Sequence, residues 1–552
     1  MSVVTATLRD KAGKAMPTTY ELMAIDVERE VDRIPRCGLR LLDGDLARGT
    51  FPVSDAEFFR PGATIEVALR HEGESSDAVV FAGLVVRQGL EISPRGAVLS
   101  VELRDRAIAL TRPRRSEVYA KKSDSAVIRE LARAAALEVR AAVNTEPTHP
   151  ELVQYDASDW DFILARAEAQ GLWVALTDGA LTLARAGAPR RGARRHTLVY
   201  GRDEIYDVDL EADGLGQVAG VEAVTWDPAH LKVGAPARGA GATRPPGDLD
   251  GAKIAGALGF ADTVLRHVAS VDPGELKAWA DAQTQRSRLS LVRGRVGIRG
   301  VGEVALLDAL ELRGIGDRFS GATTITGLRH RVSTAGWRTD LQFGIAPRSR
   351  AEDAATRASS PPAAGLLPAL TGLQIGVVAP FEDDAPDHLR VRVLVPAINA
   401  RDGVVWARVA RPDAGDGRGF CFRPEPGDEV VVGFVAGDPR QALILGALHS
   451  AKNKPPTAVA STGADNDKKG IVTRRGVKIE IDDGDPPRVK IATPGGLSIV
   501  LDDAEEAVAL ADSNENSITL GAEGITIKSA KAITLDCSGG AVKLLGKSVE
   551  AK

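Results

Sequence analysis

Cysteine is scarce in this chain of 552 residues: Cys37, Cys421 and Cys537 lie far apart, with no Cys-x-x-Cys pair. That excludes a disulfide framework and a cysteine-based zinc site, and it fits a reducing compartment. Aromatic residues make up 4%, too few for a stacking platform that would grip single-stranded nucleic acid. The formal net charge is −5, so no global basic field draws the chain to nucleic acid or to anionic membrane. The first residues, MSVVTATLRDKAGKAMP, carry charge early and lack an apolar core, so no signal peptide is expected. No apolar run approaches the ~18 residues of a membrane span. The motifs HExxH, GxSxG and the P-loop are absent, and no histidine follows His449. Catalytic, cofactor and metal residues are therefore expected to be none.

What is abundant is turn chemistry, with 57 glycines and 30 prolines. The length calls for three or four domains. The most informative stretch is Phe420 to Pro456. Glu429-Val-Val-Val-Gly-Phe-Val435 and Ala442-Leu-Ile-Leu-Gly-Ala-Leu448 are apolar, β-branched strands. Pro426-Gly427-Asp428 and Gly437-Asp438-Pro439 are turns, with proline fixing φ, glycine supplying positive φ and aspartate capping backbone. The pattern Phe422-x-Pro424-Glu425-x-Gly427-Asp428-Glu429, then Gly433-Phe434-x-x-Gly437-Asp438-Pro439, Leu445-Gly446-x-Leu448 and Lys452-Asn453-x-Pro455-Pro456 is dense over about 35 residues. It resembles the OB-fold barrel of VgrG and phage baseplate spike proteins of contractile injection systems. The expected fold class is mainly β with minor α. It would hold two tube-like β-barrel hub domains with helical insertions, an OB-fold barrel, and a C-terminal trimeric β-helix or prism needle.

From the N-terminus, residues 1–110 read as a first hub barrel, with alternating strands such as Thr64-Ile-Glu-Val-Ala-Leu-Arg70. Residues 111–196 form a mixed insertion. Ser123 or Asp124 can cap a helix running to about Val139. Ser158 caps a second, with Asp161 at N3, an apolar stripe at Trp160, Ile163, Leu164 and Ala167, and Gly171 at the left-handed exit. Helical spacing assigns Trp160 to core packing rather than to a sugar site. The unit from Gln154 to Leu172 is similar to a hub signature of the same family.

Residues 197–345 return to β around one helix capped by Asp272, with Pro273 at N1 and an irregular loop over 234–260. This region echoes the first. Ile65–Leu69 aligns with Ala309–Arg313, Gly83 with Gly327, and Gly96 with Gly336, the hairpin between the glycines differing in length. Two similar barrels per chain would give a trimer six similar surfaces, letting a threefold object dock on a sixfold ring. The resemblance implies that use, against an inner tube protein. Residues 346–368 are a linker by composition, 369–450 the barrel and 451–475 a second linker.

Residues 476–552 are a repeat of short period-2 strands, including Ile479, Ile481, Ile499, Leu501, Ile518, Leu520, Ile525, Ile527, Ile533 and Leu535, and ending in Val542-x-Leu544. One such chain cannot cover its own edges. The expectation is three chains wound into a prism with these residues inside. A single-chain parallel β-helix, needing about 20 residues per coil, has room for too few turns. Acid pairs such as Asp482-Asp483 and Asp502-Asp503 read as turn residues rather than calcium ligands.

The family resemblance implies a homotrimeric, non-enzymatic spike that punctures the target envelope on sheath contraction. Its implied partners are the inner tube ring, baseplate proteins, cargo effectors and a PAAR-like tip protein contacting Val549 and Lys552. Nucleic acid is not an expected partner, and membrane is met only on firing. Assembly is expected in the bacterial cytoplasm, in a particle that acts outside the cell. The short form looks more like the spike of an extracellular, phage-tail-like system. The rival readings are a cell-wall or polysaccharide hydrolase working near Trp160 and Asp161, and a glycan-binding adhesin with a β-fibre stalk.

Overall fold

The computed structural model describes residues 4–45, 48–94, 96–112, 114–227, 232–241, 244–267, 271–348, 370–383, 389–438, 441–460 and 464–550. Pro439, Lys552, His388 and most of the expected linker 346–368 lie outside them. The chain divides into two compact units, Met1–Ser360 and Pro361–Lys552.

The first unit opens with six strands: β1 (Val4–Asp10), β2 (Leu22–Glu30), β3 (Arg36–Asp43), β4 (Thr64–His71), β5 (Ala78–Ser93) and β6 (Gly96–Arg104). An insertion follows, with β7 (Arg114–Lys122), α1 (Asp124–Ala134), β8 (Glu138–Ala142), β9 (His149–Ser158), α2 (Asp159–Ala169), β10 (Leu172–Thr177) and β11 (Ala180–Arg185). Next come β12 (Arg195–Val199) and β13 (Ile205–Ala212). A second insertion holds β14 (Val221–Asp227), β15 (Lys232–Val233), β16 (Ala237–Arg238), α3 (Gly251–Ala257), β17 (Thr263–His267) and α4 (Pro273–Leu289). The unit closes with β18 (Val292–Arg299), β19 (Ala309–Arg313), β20 (Gly321–Ser333) and β21 (Gly336–Phe343).

Twelve strands share one sheet. The first half runs β1-β4-β5-β6-β3-β2 and the second β12-β19-β20-β21-β18-β13. These are the same order, strand for strand; β1 meets β4 antiparallel whereas β12 meets β19 parallel. The halves are not separate bodies. β2 adds to β20, pairing Ile25 with Val332 and Glu30 with Gly327. β20 is long enough to take β19 on its first residues and β2 on its last.

The repeat is therefore present, but its register differs from the one read in sequence. Ser93 pairs with Gly96 and Ser333 with Gly336, so the two hairpins are equal in length. Val85 exchanges backbone bonds with Gly62 and Ala63, as Ile325 does with Leu307 and Asp308. Val85 thus corresponds to Ile325, and Gly83 corresponds to Thr323 rather than to Gly327. Gly96 and Gly336 both sit at positive φ, 126° and 105°, where a side chain would be strained.

Each half has its own core. Leu39, Leu41, Phe59, Ile65, Phe81, Leu99 and Leu103 fill the first, and Val296, Leu310, Leu312, Ile325, Leu341 and Phe343 the second. The first insertion packs Trp160, Ile163, Leu164 and Ala167 of α2 against Val174, Leu181 and Leu183. Ser158 Oγ accepts the Asp161 N–H at 3.1 Å, the cap expected, and the Asp161 carboxylate takes the Ser158 hydroxyl at 2.6 Å rather than the backbone N–H of a full capping box. Gly171 has φ 62°, and a Cβ there would press on Ala282 of α4 at 3.3 Å. α1 stops at Ala134 rather than near Val139, because Ala136 turns to φ 56° and Glu138–Ala142 becomes a strand beside β11. The stretch 234–260 is not wholly irregular. It holds α3, whose cap Asp250 accepts the Ala252 and Lys253 N–H groups.

In the second unit, β22 (Gln374–Val378), β23 (Val391–Leu394), β24 (Val404–Val409), β27 (Glu429–Phe434) and β28 (Ala442–Leu448) close a barrel in the order β22-β23-β24-β28-β27, and β25 (Ala414–Gly415) and β26 (Arg418–Gly419) form a hairpin beside it. Val378, Val391, Val393, Val430, Val432 and Ile444 fill it. Then β29 (Lys468–Val472), β30 (Lys478–Asp482), β31 (Arg488–Ala492), β32 (Ser498–Asp502), β33 (Ala507–Ala511), β34 (Ser517–Gly521) and β35 (Gly524–Lys528) form a seven-stranded antiparallel meander.

Candidate assembly interface

The meander is built from five-residue strands, so each strand sends two side chains to one face and three to the other. Turns fix the register. The carboxylate of Asp502 accepts the Ala504 N–H at 3.1 Å, and that of Asp512 accepts the Asn514 and Asn516 N–H groups at 2.8 and 2.9 Å. Hydrogen bonds from Asn516 hold the Asp512 carboxyl down to about 2. These acids are occupied by their own turns, as expected for turn residues.

The register lines the apolar residues into two unbroken ribs. One runs Ile471, Ile479, Ile491, Ile499, Leu510, Ile518, Ile527; the other runs Ile481, Val489, Leu501, Val508, Leu520, Ile525. All point to one face, and a groove of about 540 Å³ lies along the first rib from Ile491 to Ile527. Lys478, Glu480, Lys490, Asp502 and Thr519 take the other face. Among the described residues from 464 onward, none is buried. Ile499 is 40% exposed, Leu501 45% and Leu520 41%. In β32 to β34 the apolar face is the more exposed of the two. A water-facing apolar strip of this length is the signature of an interface.

The run beyond Lys528 departs from the sequence reading. Ile533, Leu535, Val542 and Leu544 are in no strand and are 51–66% exposed. Their two-residue alternations make too few hydrogen bonds to pair alone, and Gly539 and Gly540 interrupt them. Within one chain the repeat is also no β-helix, since consecutive strands pair antiparallel.

The barrel residues of the motif act as turn and closure elements. The Gly427 N–H donates to Val378 O at 2.9 Å, and Val378 N–H to Asp428 O at 2.9 Å, which ties the turn to β22. Asp428 accepts the Glu425 N–H at 2.8 Å, beside Pro424. Gly437, at φ 69°, accepts the Leu370 N–H, and Asp438 is buried in the same turn. Gly433 opposes Leu443, and Gly446 follows the bulged Leu445. Sequence reasoning missed the Arg474–Glu425 ion pair, 2.9 Å, which links the meander's first turn to the barrel. Nothing in residues 49 positions apart announced it.

A cavity of about 1440 Å³ lies in the first unit, and Trp160 and Asp161 are among its lining residues. Trp160 is buried in the insertion core, and Asp161 is held by the α2 cap Ser158 through its N–H and its carboxylate. Its other charges are largely paired, Arg286 with Glu168 at 2.5 Å and Arg293 with Glu211 at 2.9 Å. Burial pushes the Glu30 carboxyl up, while Arg33 at 2.9 Å opposes the rise.

Residues 1–334 match the family model of the Alg8 N-terminal domain, 374–449 that of the type VI secretion system and phage-baseplate injector OB domain, and 488–551 that of the phage baseplate V C-terminal trimerisation domain. The chain belongs to the VgrG and phage baseplate hub-and-spike family. Its first 334 residues belong to the Alg8 N-terminal domain family, its barrel matches the injector OB domain, and the trimerisation match starts at β31 of the meander. The actin cross-linking toxin VgrG1 of Vibrio cholerae is 38% identical over 74 residues, 13% of this chain and 7% of the toxin, so the chain spans a small part of that relative. The prophage MuSo2 43 kDa tail protein of Shewanella oneidensis superposes with a TM-score of 0.46 at 12% identity, over 62% of this chain and 99% of its own. An E. coli component of the type VI secretion system gives 0.39 at 14% identity, over 80% and 99%. The family places the chain as a baseplate spike of a secretion or injection system.

Proposed function

We propose that this chain is the homotrimeric, non-enzymatic spike at the baseplate centre of a contractile injection system. The pair of bare apolar ribs, in a segment matching a trimerisation domain, carries the reading. Three such sheets can bury one another's ribs and leave no open edge. The closed prism would unfold slowly, as a tip that concentrates force on a target envelope must. Residues 476–552 form the needle, with Ile533 and Leu535 joining it once partners supply strands.

The duplicated sheet supports a second element of the proposal. Three chains offer six similar halves, so the hub caps the inner tube and matches threefold to sixfold symmetry. A PAAR-like tip protein sits at the needle end, near Val549 and Lys552. Baseplate proteins and cargo effectors are further partners. The particle assembles in the cytoplasm and acts outside the cell.

The test is native mass by light scattering, on the full chain and on a truncation ending at Ala460. A full-length trimer weighs about 174 kDa, three times 58.1 kDa, and should resist SDS, whereas the truncation should weaken or dissociate. A folded full-length monomer would overturn the spike and bring forward the hydrolase and adhesin readings.

A further inference from the structure

The hub repeat contains one seam that is filled and one that is empty. The filled seam is internal, with β2 lying on the outer edge of the last residues of β20. The repeat assigns each participant a counterpart. The β20 segment Gly327–Val332 corresponds to the β5 segment Arg87–Ile92, as the equal hairpins establish. β2 corresponds to β13: Leu22-Met23-Ala24-Ile25-Asp26-Val27-Glu28 matches Ile205-Tyr206-Asp207-Val208-Asp209-Leu210-Glu211. Both carry a bulge at the second residue, and both have the acids Asp26/Asp209 and Glu28/Glu211 in register. Among the described residues, β13 ends the sheet on one side, and the last residues of β5 take no strand beyond β6. The same two shapes that meet inside the chain are thus also presented, unmated, at its two ends.

Burial supports the correspondence. At the filled seam Ile25 is 1%, Val27 0% and His330 2% exposed. At the empty one, Leu90, the counterpart of His330, is 41% exposed, and Ile92, the counterpart of Val332, is 55% exposed. Leu90 is thus an apolar side chain at a position that the filled seam buries, and Ile92 one at a position that it half-buries.

Resting on the trimeric reading above, we infer that β13 of each chain adds antiparallel to the β5 segment Arg87–Ser93 of the next. Transferring the internal register pairs Val208 with Ile92, Leu210 with Leu90 and Asp213 with Arg87 across protomers. β13 cannot reach its own β5, because six strands lie between them, roughly 30 Å at a strand spacing of about 4.8 Å. The six seams of the hub ring are therefore of two kinds: three are internal and three are between chains. The external seam sets Asp209 opposite Glu91, where the internal one has Asp26 opposite Arg331, so it is the weaker of the two.

The experiment uses the full chain with Cys421→Ser and Cys537→Ser, plus Leu90→Cys and Leu210→Cys. Mild oxidation should give covalent dimers and trimers on non-reducing gels, since directly opposed strand residues lie within disulfide reach. A Leu90→Cys, Ile205→Cys control, displaced by about 17 Å along the strand, should not link. Hydrogen exchange on the unsubstituted protein should protect Arg87–Ser93 and Ile205–Ala212, and Glu91→Arg should slow exchange there about three- to tenfold. A particle of trimer mass that neither cross-links nor protects these segments overturns the seam and leaves the needle-based trimer standing. A monomer overturns both. A trimer in which Glu91→Arg speeds exchange or leaves it unchanged refutes the register.

Discussion

Replacing Ile499 by serine tests the apolar ribs directly. Its side chain lies mid-rib, opposite Ile491 and Leu510, and is 40% exposed. That leaves about 70 Å² to be covered by partner chains, worth about 2 kcal/mol at about 25 cal/mol per Å². The loss recurs in each of three chains, so the trimer should be weakened by about 5 kcal/mol, or three to four decades in its dissociation constant. Sedimentation equilibrium with a dilution series reads this, and loss of SDS resistance gives a coarse check. Val500→Ser removes an apolar group one residue away on the opposite face and serves as the control. If both variants dissociate alike, or neither does, the ribs are not the interface.

Other outcomes follow from buried charge and burial. His330 is buried against Trp337 and Thr339, and desolvation, aided by the Arg29 charge, brings its imidazole down to about 3. Unfolded chain takes up that proton below its ordinary 6.5 and folded chain does not, so hub stability is complete above that pH and falls on acidification between about 6.5 and 3. The loss at pH 5 is about 2 kcal/mol; His330→Leu should flatten the acid limb of a thermal-stability profile even if it costs stability at neutrality. Arg166 ties the buried Asp124 at 2.5 Å and Glu275 at 2.7 Å. Burial would raise the Asp124 carboxyl, but Arg166 and His149 hold it below its usual range. Arg166→Met strands that charge and should cost about 3–5 kcal/mol, read as a lower hub melting temperature. Burial also pushes the Cys37 thiol well above its usual range; mass spectrometry after maleimide treatment should find it unmodified in native protein and modified in denaturant.

Local chemistry made much of the fold readable. The caps at Ser158, Asp250 and Asp272 obey side-chain rules, although α3 itself hid among Gly and Ala residues that carry no period. The needle strands were visible because alternation is strict. The repeat was also visible, but its register was not, for a physical reason. A strand shifted by an even number of residues keeps every side chain on its face. Aligning Gly83 with Gly327 made such a shift, four residues from the one the backbone bonds impose. The β2–β20 seam joins residues some 300 apart, and no local signal marks it. The interface residues were legible as a class, apolar and periodic, while their arrangement into two ribs needed the turns.

An interlocked needle has a genetic consequence. In the proposed trimer each chain's ribs are complete only in the company of two others, so a defective copy would not be merely idle. If a full-length chain with polar ribs is made in the same cell in equal amount, random mixing leaves about one trimer in eight wholly intact. Such an allele would be dominant, silencing injection far beyond the half expected from dilution, and it could be titrated against the normal copy to count the subunits that firing requires.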